Sequence, residues 1–127
     1  MEENKRSRQF PSSIGTTQFV RLYILHLLIE RSHYGKELID EIGMRLGGNW
    51  KPSPGMVYPM LFRLESEGYI YGSWTEPEKR AIKRYRITKE GEKYYRKSKL
   101  QLEPMFNQAA NLIDLALKDL YKKRRRY

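Results

Sequence analysis

The stretch Trp50-Lys51-Pro52-Ser53-Pro54-Gly55-Met56-Val57-Tyr58-Pro59-Met60-Leu61-Phe62-Arg63-Leu64-Glu65-Ser66-Glu67-Gly68-Tyr69-Ile70 contains a helix with both of its ends. Asn49 to Gly55 reads as a tight loop, because proline and glycine interrupt any regular run there. Ser53 is placed to cap the helix with its side-chain oxygen, and Pro54 suits the first helical position, where no N–H is needed. Val57, Leu61 and Leu64 recur at helical spacing as the inward stripe, and Gly68 stops the helix. Gly55, Met56, Pro59 and Arg63 are left on or near the opposite face, with Tyr58 at the boundary. From Ile70 the period changes to two. Ile70 to Trp74 predicts a strand and Lys83 to Ile87 its partner, joined by the polar segment Thr75 to Ile82.

Toward the N-terminus, Gly35 to Leu46 predicts a helix with Leu38 and Ile42 on one face, closed by Gly47-Gly48 and preceded by a turn at Ser32-His33-Tyr34. Before it, Thr16 or Thr17 is suited to cap a helix running to about Glu30. Val20, Ile24, Leu27 and Leu28 form one face of that helix, while Phe19, Leu22, Leu25 and Ile29 form a second. A helix apolar on two sides contacts two things, of which one is its own domain and the other can be a second copy of the chain. Toward the C-terminus, Thr88 is placed to cap a long helix with Leu102, Met105, Ala109, Leu112 and Ala116 at spacings of three and four. Pro104 lies inside it and predicts a kink or a break. The expected divisions are a flexible N-terminal arm (1–15), a helical domain with a small hairpin (16–91), and a C-terminal dimerisation helix with a basic tail (92–127).

Three short helices followed by a hairpin is the plan of a winged helix-turn-helix domain, so the fold expected is mainly α with a small β-hairpin. In that plan the third helix enters the DNA major groove and the hairpin touches phosphates or a neighbouring groove. Charge agrees with it. The chain of 127 residues carries a formal +10, and the excess lies in residues 71–91 and 92–127, while 21–70 is neutral. Lys79, Arg80, Lys83, Arg84 and Arg86 crowd the hairpin. On a strand, Arg84 and Arg86 share one face about 6.6 Å apart, leaving Tyr85 and Ile87 to pack on the domain. The expected DNA-contacting residues are therefore Ser53, Gly55, Met56, Tyr58, Pro59 and Arg63 of the third helix, with Lys79, Arg80, Lys83 and Arg84 of the hairpin.

Several classes of function are disfavoured. There is no cysteine, which removes thiolate metal sites and cysteine nucleophiles. His26 and His33 stand apart with no supporting ligand, and Glu37, Asp40 and Glu41 match no catalytic spacing. No enzyme activity, cofactor or metal is expected. No segment reaches the ~20 apolar residues of a membrane span, and a cytoplasmic protein is the expectation. Lys122 to Arg126 reads as a solvated basic end to the last helix.

The run Trp50 to Ile70 strongly resembles the PadR family of bacterial transcriptional regulators, as do Tyr34-Gly35-Lys36-Glu37-Leu38-Ile39 and Arg84-Tyr85-Arg86-Ile87-Thr88-Lys89-Glu90-Gly91. The resemblance implies a homodimeric winged-helix DNA-binding protein, usually a repressor acting on a pseudo-palindromic operator. It implies that the C-terminal helix supplies much of the dimer interface, in the short form with one such helical region. It also implies that some members bind a small aromatic or cationic ligand near that interface. The residues expected there are Phe19, Tyr23 and His26 of the first helix with Leu102, Met105, Phe106, Ala109 and Leu112 of the last. Lys36 stands where the family often has an aromatic residue. A second expectation, from a different class, is a winged-helix protein–protein adaptor without specific DNA binding.

Overall fold

A computed structural model describes residues 15–75 and 82–122. The N-terminal arm up to residue 14, the hairpin tip with Lys79 and Arg80, and the tail from Lys123 lie outside the described residues. Helix α1 spans Thr16–Glu30, β1 His33–Tyr34, α2 Gly35–Arg45, α3 Pro54–Ser66, β2 Ile70–Trp74, β3 Lys83–Ile87 and α4 Lys89–Tyr121.

The core follows from the helical faces. Val20, Ile24, Leu27 and Leu28 of α1 meet Leu38 and Ile42 of α2 and Val57, Met60, Leu61 and Leu64 of α3, all buried. The caps follow from local chemistry. Ser53 Oγ accepts from the Met56 N–H at 3.2 Å, and Thr88 Oγ1 accepts from the Gly91 N–H at 3.0 Å. Gly47, Gly48 and Gly68 adopt φ of 87°, 78° and 83°, a region that side-chain-bearing residues rarely enter. At the start of α1 the expectation fails: Gly15 is the N-cap and no threonine side chain caps the helix.

Two further features differ from the sequence expectations. The turn at Ser32-His33-Tyr34 is in part a strand. β1 pairs antiparallel with β3, His33 opposite Tyr85 and Tyr34 opposite Arg84, so the hairpin becomes a three-stranded sheet of order β1-β3-β2. α4 is continuous through Pro104. Leu102 on one side of the proline is 9% exposed, and Phe106 on the other meets Phe19 edge-on at 6.0 Å, so packing on α1 holds both flanks. The same packing covers much of the second apolar face of α1. Leu25 is fully buried, Phe19 and Leu22 pack against the core, and Ile29 remains exposed.

His33 is 1% exposed, and burial pushes its pKa below the ordinary 6.5, with the Arg31 charge adding. Glu37, Glu41 and the Leu27 backbone oppose that shift without reversing it. With the folded-state pKa lowered, the unfolded chain takes up the proton first. Stability is therefore complete above about pH 6.5 and falls as acid is added through the interval between the two pKa values. Urea unfolding between pH 8 and pH 5 should record that loss, and His33→Gln should flatten it.

Candidate nucleic-acid interface

The sequence places a glycine and a proline on the first outward turns of α3, and none of the described residues covers that face. Gly55, Tyr58, Pro59, Phe62, Arg63 and Ser66 are exposed, opposite the buried Val57, Met60, Leu61 and Leu64. Met56 belongs with the core instead: it is half-buried and packs against the apolar cluster. Tyr58 lies against the start of α2. A Cβ on Gly35 would stand 2.6 Å from its Cε1, so a larger residue there would push the Tyr58 ring aside. Ser53 is exposed, with its hydroxyl turned onto the helix as a cap.

The sheet is fixed to α3 by one carboxylate. Glu65 Oε2 accepts from the Gly72 N–H at 3.1 Å, and Glu65 Oε1 accepts from Lys83 Nζ at 2.9 Å. The Lys83 ammonium also stands 5.4 Å from the centre of the Trp74 ring and 5.8 Å from that of Tyr85. Its pKa is raised, first by the hydrogen bond to Glu65. Lys83 is thus held by the protein's own anion and rings. Replacing Glu65 with Gln keeps an acceptor for Gly72 but leaves Lys83 without its counter-charge. A stability loss of about 1 kcal/mol is expected for this half-buried pair, read by thermal unfolding.

Arg84 is also engaged. Its Nη1 donates to Ser32 Oγ at 2.9 Å and to the Ser32 carbonyl at 3.3 Å, and the guanidinium lies 4.1 Å over the Tyr34 ring. Of the expected Arg84 and Arg86 pair, Arg86 stands exposed while Arg84 ties β3 to the α1–β1 connection. Tyr85 is buried as expected, and Ile87 packs on the core. Between α2, α3 and the sheet lies a cleft of about 580 Å³ lined by Tyr34, Gly35, Tyr58, Trp74, Lys83 and Tyr85. Sequence reasoning assigned Phe62, Glu65 and this cleft no part in the site. The helical period alone sends Phe62 outward, but the anchoring by Glu65 joins positions that only the folded chain brings together.

The second group of expected residues also comes together in part. Phe19 and Tyr23 meet edge-on at 5.7 Å, Tyr23 and His26 at 5.8 Å, and His26 Nδ1 lies 2.6 Å from the Tyr95 hydroxyl of α4. Phe106 joins this run through Phe19, and Met105 and Ala109 are half-buried, while Leu112 is exposed. On the neighbouring flank of α1, Leu102 lines a cavity of about 130 Å³, below the ~300 Å³ of an ordinary ligand pocket. Among the described residues no group of His, Asp and Glu has the makings of a metal site, and no helix is long and apolar enough to cross a membrane.

An α1–α2–α3 core whose third helix keeps its outer side uncovered by the described residues, beside a three-stranded basic sheet, is the winged helix-turn-helix class, with α3 as the second helix of the helix-turn-helix and β2–β3 as the wing. The comparisons narrow this. The model of the transcriptional regulator PadR-like family matches residues 24–97, and the chain belongs to that family. Its members are transcriptional regulators, not enzymes. The chain is 33% identical over 84 residues to the transcriptional regulator YqjI of Escherichia coli, a match covering 66% of this chain and 39% of that one. It thus spans about two fifths of that relative. A transcriptional regulator from Clostridium thermocellum has a similar structure, with a TM-score of 0.64 and 33% identity over 73% of this chain and 87% of that one. Bacillus subtilis PadR, solved in complex with operator DNA, is similar at a TM-score of 0.55 and 25% identity, covering 62% of this chain and 45% of that one.

Proposed function

We propose that this chain is a homodimeric transcriptional repressor that binds a pseudo-palindromic DNA operator and is released by a small-molecule or stress signal. The observation that carries DNA binding is the bare outer face of α3 beside the cationic wing. The operator complex of the Bacillus subtilis relative supports it. In this reading residues 16–91 form the DNA-binding unit and 92–127 the dimerisation unit. Gly55, Pro59 and Arg63 approach the bases, and Ser53 and Tyr58 set the entry angle of α3. Met56 supports that helix from the core side. Arg84 and Lys83 stiffen the wing that carries Arg86, Lys79 and Arg80 to the phosphates. The aromatic run of Phe19, Tyr23, His26 and Phe106, with Leu102, Met105, Ala109 and Leu112, is the seat of a small aromatic or cationic effector where a second copy closes over it.

Fluorescence anisotropy on duplex DNA from upstream of the protein's own gene tests the reading. Cationic contacts release counterions, so affinity should fall steeply between 50 and 200 mM salt, by about a thousandfold for a handful of phosphate contacts. Arg63→Ala should weaken binding and relax specificity at one position per half-site, by about 1–3 kcal/mol for a bidentate base contact. Weak, sequence-blind binding with no response to Arg63 would favour the protein–protein adaptor.

A further inference from the structure

Phe62 is 72% exposed on the middle of α3. The period of about 3.6 residues places Gly55, Pro59, Phe62 and Ser66 on one stripe, turned away from the core-facing Val57, Met60, Leu61 and Leu64. The centre of the outward face is thus small or apolar. The Ser66 hydroxyl adds little there, because it donates to the Phe62 carbonyl at 2.9 Å and is bound back onto its own helix. Pro59 brings no N–H. The hydrogen-bonding side chains that border this stripe are Arg63 on one edge and Tyr58 on the other.

Single exposed apolar side chains are ordinary on protein surfaces, but Phe62 stands at the centre of the face that the DNA-binding reading turns to the major groove, where burying the ring is favourable only against an apolar counterpart. In the major groove, the 5-methyl group of thymine is the one apolar feature of a base edge. We propose that Phe62 is a specificity-determining residue that reads the thymine 5-methyl group. The operator half-site then carries thymine opposite the second turn of α3, with Pro59 bordering the same contact. The inference rests on the DNA-binding reading above. The neutrality of the stripe favours it over phosphate contact, and the cationic wing at the flank favours DNA over an apolar protein surface as the occupant.

The experiment removes the methyl group and nothing else. The full chain is used to enrich duplexes from a pool randomised over the binding site, and each thymine of the enriched sequence is then replaced in turn by deoxyuridine. At one or two thymines per half-site, the wild-type protein should lose about fourfold in affinity, the value of one buried carbon at ~0.8 kcal/mol. Phe62→Ala should bind thymine and deoxyuridine duplexes alike, with an unchanged salt slope. Phe62→Leu, which keeps an apolar tip, should retain part of the discrimination. The substituted side chain is exposed, so these variants should melt with the parent. Equal wild-type affinity for every deoxyuridine duplex, or full discrimination by Phe62→Ala, overturns the assignment of Phe62 while leaving DNA binding intact. A protein that enriches no sequence overturns both.

Discussion

Gly91→Ala is expected to be the most damaging single substitution in the molecule. Gly91 lies in the first turn of α4, where the long helix leaves the winged domain. A Cβ there would be driven into the Tyr69 carbonyl oxygen and would stand 2.7 Å from Ile87 Cγ1. The first obstacle is backbone and cannot rotate aside. That carbonyl also accepts from the Thr88 N–H at 3.1 Å, and the Thr88 hydroxyl donates to the Gly68 carbonyl at 2.7 Å, so any shift breaks the cap of α4 as well. Overpacking costs about 1–3 kcal/mol in cores that can yield, and here nothing yields cheaply. Alanine recovers about 1 kcal/mol through its better helix propensity, which does not offset the clash together with a lost cap. A net loss of about 3 kcal/mol should lower Tm by about 10 °C or more for a domain of this size. Gly55→Ala is the control, since its would-be Cβ meets only the Ser53 hydroxyl oxygen at 3.9 Å, an ordinary contact. If the Gly91 variant melts with the parent, the junction between wing and long helix is softer than its geometry implies.

The same residue shows where reading the sequence runs out. Ser53-Pro54, Gly47-Gly48, Gly68 and Thr88 were legible because a cap or a stop is decided within four residues. The bounds of β2 and β3 were legible because alternation and a polar loop are local signals too. Gly91 carried no such signal: its need for a bare Cα comes from a carbonyl twenty-two positions earlier. β1 was missed for a related reason. Two residues become a strand only when β3, some fifty positions later, lies beside them. The wing cations were legible as a cluster, but their partners were not. Lys83 meets Glu65, and Arg84 meets Ser32 and Tyr34, all from other elements. Charge counting finds the surface, and pairing decides which cations remain free. Phe62 is the opposite case, since its outward position follows from the buried Leu61 and Leu64 by period alone.

Removing the outer third of α4 is expected to have the largest effect on operator binding. The first half of that helix belongs to its own domain through Gly91, Tyr95, Leu102 and Phe106. A cut after Leu100 would strip contacts that α1 needs, so it would confuse folding with association. Beyond Ala110 the apolar side chains change character: Leu112, Ile113, Leu115, Leu120 and Tyr121 are all exposed. A lone helix is marginal in water unless its apolar face is covered, and nothing in the chain covers this one among the described residues. On the dimeric reading proposed above, a second copy bringing the same side chains would cover both helices at once, as a two-fold contact must. A chain ending at Ala110 should therefore fold, sediment as a monomer and bind one half-site. Losing the linked second half-site should reduce operator affinity by about 10²–10⁴-fold. Truncation also removes the basic run Lys122 to Arg126, whose charge alone favours DNA. Leu112→Glu with Leu115→Glu, which keeps those cations, separates the two causes. If the doubly substituted chain is monomeric and weak, association carries the affinity. If it remains dimeric, the interface lies instead on α1, around the exposed Ile29.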